Sequence, residues 1–84
     1  MYEIFLETSA EKDIRKLPSN KIKNVISKIK ELSQTPYPVG SKKIRDTNNF
    51  WRIRIGKYRV IYEVLQLEKR INVYKIRHRK DVYK

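Results

Sequence analysis

The chain has 84 residues, enough for one domain (1–84) and one core that withdraws only about 60–65% of the unfolded surface from water. Its 21 Lys and Arg against 9 Asp and Glu leave a formal charge of +12, a field that gathers polyanions and points to nucleic acid, an acidic protein or an anionic membrane surface as partner. The absence of cysteine excludes disulfides and thiolate metal sites.

In chain order, residues 2–7 are rich in Tyr, Ile and Phe and read as a first strand ending before Thr8. Thr8-Ser9-Ala10-Glu11 fits a capping box, with Thr8 as the cap. Ala10, Ile14 and Leu17 then share one helical face, and Pro18 ends the segment. Ser19 or Asn20 can cap a second helix, in which Ile22, Val25, Ile26, Ile29 and Leu32 form an apolar stripe at 3–4 spacing. So short a join makes an antiparallel helical hairpin, and the Pro- and Gly-bearing stretch Thr35 to Ser41 is a loop.

From Lys42 the period changes to two. Lys43-Ile44-Arg45, Phe50 to Ile55, Tyr58 to Leu65 and Ile71 to Ile76 are separated by turn signals at Asp46 to Asn49, Gly56-Lys57 and Glu68 to Arg70. Alternation puts Trp51, Ile53 and Ile55 on one face of a strand and Arg52 and Arg54 on the other. The next strand opposes Tyr58, Val60, Tyr62 and Val64 to Arg59, Ile61 and Glu63. An α+β domain follows, of β-α-α-β-β-β order with Lys43–Arg45 as a further short segment. Its antiparallel twisted sheet has the helical hairpin on one face and arginines on the other. The segment Arg77 to Lys84 is too polar for a core.

The single His and scattered carboxylates form no zinc ligand set, and two glycines cannot build a phosphate-binding loop, so no metal or cofactor is expected. No run approaches the roughly 20 apolar residues of a membrane span, and the N-terminus lacks a signal-peptide pattern, which makes the cytoplasm the expected compartment. The remaining concentration is Lys42, Lys43, Arg45, Arg52, Arg54, Arg59, Arg77, His78, Arg79, Lys80 and Tyr83. Arginine's planar, permanently charged fork matches phosphate oxygens, so arginines in register on adjacent strands form an anion cradle. Tyr83 lies among cations; it suits a proton acceptor, a stacking surface for a base, or an anchor of the chain end.

Together, Arg15-Lys16-Leu17-Pro18, Trp51-Arg52-Ile53-Arg54-Ile55-Gly56-Lys57-Tyr58-Arg59-Val60-Ile61-Tyr62 and His78-Arg79-Lys80-Asp81-Val82-Tyr83 resemble the RelE/ParE superfamily of toxin–antitoxin toxins over nearly the whole chain. The resemblance implies either a RelE-type endoribonuclease, an mRNA interferase that cuts messenger RNA in the ribosomal A site and stops translation, or a ParE-type inhibitor of DNA gyrase. The C-terminal segment favours the RelE type. Carried over by position, the catalytic roles fall on Arg59, on Arg77 or Arg79, and on Tyr83, with Lys43, Arg45, Arg52, Arg54, His78 and Lys80 holding the RNA backbone. The strand pair is Arg52 and Arg54 where a RelE prototype has Lys, so this pair steadies charge rather than accepting a proton.

The expected chemistry is metal-free attack by the RNA 2′-hydroxyl on the adjacent phosphate. The expected partner besides RNA is an acidic RelB-like antitoxin, on a toxin that is itself monomeric. A non-catalytic RNA-binding module is the remaining alternative.

Overall fold

A computed structural model describes residues 1–78, in the order β1 (Glu3–Leu6), α1 (Thr8–Arg15), α2 (Ser19–Glu31), β2 (Lys42–Lys43), β3 (Phe50–Ile55), β4 (Tyr58–Leu65) and β5 (Arg70–His78). The strands form one five-stranded sheet ordered β1-β5-β4-β3-β2. It is an α+β fold, with one correction to the expected antiparallel sheet: β1 runs parallel to β5, pairing Ile4 with Ile71 and Leu6 with Val73. Period-two patterning identifies a strand and its faces but carries no information on its direction, which is set by where the intervening hairpin returns the chain.

The stripe expected on the second helix buries Val25 and Ile29 on α2 and Leu32 just beyond it. They share a core with Ala10 of α1 and the inward residues Ile55, Val60, Tyr62, Val64, Ile71, Val73 and Ile76. Tyr62 has no exposed surface, yet its hydroxyl donates to the Pro36 carbonyl at 2.9 Å. Burial pushes that hydroxyl's pKa up to about 12, so it remains a neutral donor. This bond ties the loop after α2 to the central strand.

Both helix caps differ from expectation. The N-cap of α1 is Glu7 and that of α2 is Pro18, and neither supplies a side-chain cap. Ser9 instead donates its Oγ to the Tyr74 carbonyl at 2.5 Å, and Asp13 Oδ2 accepts the Ile76 backbone N–H at 2.9 Å. β1 stops pairing at Val73, with Glu7 N–H on the Val73 carbonyl at 2.9 Å. Side chains of α1 therefore take over from β1 along the outer edge of β5. An unpaired strand edge invites association, and here a helix covers it.

Two strand boundaries also moved. β2 ends at Lys43, leaving Arg45 in an exposed turn before Asp46, whose φ is 64°. β5 extends to His78. Within β5, Tyr62 pairs with Val73 while Ile61 pairs with Lys75, so Tyr74 is an extra, bulged residue. Residues after the bulge change faces relative to simple alternation: Ile76 enters the core, opposite Val60, and Arg77 lies opposite Arg59.

Candidate nucleic-acid interface

The sheet face away from the helices is organised in cross-strand rows. Arg54, Arg59 and Arg77 occupy directly paired positions on β3, β4 and β5. Two residues along the strands, Lys42, Arg52, Ile61 and Lys75 form a second row. Strands lie about 4.8 Å apart and same-face residues about 7 Å apart along a strand, so five cations from β3, β4 and β5 gather within a patch roughly 10–15 Å across.

Like charges directly opposite one another destabilise a sheet. The row is therefore a cost to the fold, and the structure offsets it at one end. Asp13, only 5% exposed, contacts Arg77 Nη1 through Oδ1 while its other oxygen accepts the Ile76 N–H. One carboxylate thus closes the edge of β5 and restrains the Arg77 guanidinium. Arg59 in the centre is 8% exposed, whereas Arg54 at the far end is open to solvent. Beyond Arg52 no described strand covers the outer edge of β3, and a groove of about 480 Å³ opens there, with Lys28, Lys42, Arg52 and Arg54 on its walls.

Of the residues expected at the site, Arg52, Arg54, Arg59 and Arg77 come together on this face. Lys43 does not: it pairs with Trp51 and sits on the helix side, where Trp51 packs against Tyr37 with ring centroids 4.7 Å apart. Arg45 stands apart in its turn. His78 pairs with Tyr58, and the two rings meet edge-on at 5.4 Å, again on the side of the inward-facing residues. Arg79, Lys80 and Tyr83 lie outside the described residues.

Sequence reasoning missed Lys75, whose side is set by the bulge, and Asp13. The signal for Asp13 was a carboxylate three residues after Ala10, within the apolar stripe of a helix, where an unpaired charge is too costly to leave. It also missed the other end of the same face. There Phe50, Glu63, Asn72 and Phe5 form a row across β3, β4, β5 and β1. Glu63 Oε1 accepts from Asn72 Nδ2 and from the Tyr74 hydroxyl, both at 3.2 Å. Desolvation, followed by the neighbouring Glu63 charge, raises the Tyr74 pKa and keeps its proton in place.

Among the described residues no group of three or more His, Cys, Asp or Glu could hold a metal ion, and no helix is long and apolar enough to cross a membrane. Residues 4–83 match the family model of the ParE toxin of type II toxin–antitoxin systems, parDE. The chain belongs to the RelE/ParE family of toxins. The RelE1 chain of Methanocaldococcus jannaschii is 34% identical over 76 residues, which cover 87% of this chain and 84% of that one. Toxin RelG of Mycobacterium tuberculosis is 27% identical over 84 residues, covering 99% and 97%. Among solved structures, a chain of the archaeal RelE–RelB complex of Pyrococcus horikoshii superposes with a TM-score of 0.82 at 26% identity, covering 93% of this chain and 94% of that one. This RelE/ParE chain is thus a toxin of a type II toxin–antitoxin system.

Proposed function

We propose that this toxin is a ribosome-dependent endoribonuclease that cuts messenger RNA in the ribosomal A site by metal-independent attack of the RNA's own 2′-hydroxyl, inhibiting translation. The observation that supports it best is the register of Arg54, Arg59 and Arg77 on one open sheet face. In the reaction the 2′-oxygen bonds to phosphorus, the bond to the 5′-oxygen breaks, and the products are a 2′,3′-cyclic phosphate and a 5′-hydroxyl. The chemistry needs an acceptor for the 2′-proton, charge for the crowded phosphorane, and a donor to the departing oxygen. Tyr83 is assigned the first task and Arg59 the second, while Arg77 or Arg79 serves the leaving oxygen. Arg52 and Arg54 hold the adjoining phosphates. An acidic RelB-like antitoxin would compete for the same cations.

Induced expression followed by mapping of messenger RNA 5′ ends tests this. Cuts in phase with codons, lost in Arg59→Ala and Tyr83→Phe, are the expected result. One positioned donor is worth roughly 10²–10³ in rate. The matching family model carries the ParE name, and a gyrase inhibitor, the second reading, would give DNA damage with intact messenger RNA.

A further inference from the structure

The end of the open face beyond the cationic rows is aromatic, although no described helix covers it. Phe50 and Tyr74 meet with ring centroids 5.2 Å apart at 49°, and Phe5 is 40% exposed with the Arg70 guanidinium 4.0 Å over its ring. Core packing does not account for these rings, because the core lies on the other side of the sheet. Asn72 and Tyr74, two residues apart, share this face by alternation, and Tyr74 is the extra residue of the bulge in β5. Between the rings, Glu63 uses one carboxylate oxygen for two donors, and the other accepts nothing among the described residues.

We propose that Phe50, Tyr74, Glu63 and Asn72, flanked by Phe5 and Arg70, form a base-reading subsite for single-stranded RNA whose phosphates lie on the neighbouring Arg and Lys rows. The inference rests on the proposed RNA-binding function and adds to it a place where one base is held. Every base has a face that stacks on aromatic rings, and open sheets carrying such rings are a recurrent platform for unpaired RNA. The free oxygen of Glu63 accepts from an exocyclic amino group, which adenine, cytosine and guanine carry and uracil lacks. An apolar peptide laid over the same rings would bury that carboxylate without a donor, at considerable cost. The charge of the adjoining rows also favours a polyanion.

The test measures binding of the full-length chain by fluorescence anisotropy to 2′-O-methyl oligonucleotides, which cannot be cleaved. The probes are oligo-A, oligo-C, oligo-U and an abasic backbone of equal length. The parent should bind the A and C oligomers more tightly than the abasic strand, with oligo-U between them. The double variant Phe50→Leu/Tyr74→Leu should lose about five- to hundredfold toward the base-bearing probes and leave abasic binding unchanged. Arg54→Ala should weaken all probes alike, and Glu63→Gln should level the preference of oligo-C over oligo-U. Should the double variant fail to match the parent's circular dichroism, Tyr74→Leu alone takes its place, since this bulged side chain lies outside the core.

Equal binding of abasic and base-bearing strands, or a double variant that binds RNA like the parent, overturns the subsite and leaves the RNA reading standing. Loss of antitoxin binding by the double variant with RNA binding intact overturns it too, since the platform then serves a protein. A parent that binds no probe also overturns the subsite, while the RNA reading itself falls only if messenger RNA 5′ ends show no cuts on induced expression.

Discussion

The two ends of the open sheet face solve opposite electrostatic problems. At one end, Arg54, Arg59 and Arg77 stand in register with like charge, and Asp13, reached from another element, gives Arg77 a counter-charge. At the other, Glu63, Asn72 and Tyr74 satisfy each other, and their aromatic neighbours carry little charge. The first region concentrates positive charge, while the second offers shape and one acceptor. A face built this way can separate gripping a backbone from recognising what the backbone carries.

The largest effect that would sharpen the contrast is in catalysis. Arg59→Ala should lower single-turnover RNA cleavage by roughly 10²–10³-fold, whereas Tyr74→Phe, which keeps the ring, should change it by less than about tenfold. Equal losses would dissolve the distinction between the two ends.

Next in size is the structural dependence of the cationic end. Asp13→Ala leaves the buried Ile76 N–H without its acceptor and Arg77 without its counter-charge, and should cost about 1–3 kcal/mol in urea unfolding. Arg77→Ala should cost less, because that guanidinium is partly exposed and water replaces its partner. An unfolding midpoint unchanged in Asp13→Ala would remove α1 from the account of how the row is tolerated.

Alkali should act through the phenols. Tyr62 has a folded-state pKa of about 12 against an ordinary 10.0, so the folded chain binds this proton more tightly than the unfolded chain. The resulting stability is full below pH 10 and is lost as pH rises toward 12, by up to about 2–3 kcal/mol. Tyr62→Phe should flatten that part of the stability profile. Tyr74, also raised, should ionise above the ordinary tyrosine range in an ultraviolet titration, and Glu63→Gln should bring it down. The smallest effect is on salt dependence: Arg54→Ala should reduce the slope of log affinity against log salt by about 0.7, and Tyr74→Leu should leave it unchanged.

Much of this was legible in the residues. Trp51 to Ile55 and Tyr58 to Val64 alternate cleanly, so the faces of Arg52, Arg54 and Arg59 were readable before any coordinates, as was the apolar stripe of α2. The caps were not, because the helices begin earlier than expected, after Glu7 and Pro18, which puts Thr8 and Ser19 inside their first turns. The pairing of β1 was hidden because direction and partner depend on the path of the whole chain. The side of Lys43 was hidden as well, because its cationic character said nothing about its register with Trp51.

The amino-acid sequence by itself determined the cationic excess, the α+β class and the family, since these follow from composition, period and local motif. Only the tertiary structure decided which cations share a surface. One extra residue at Tyr74 reverses the alternation of β5, and because side chains alternate every residue, that slip carries Arg77 across the sheet to Arg59 and buries Ile76. A bulge is a property of two strands paired together, and neither strand records it alone.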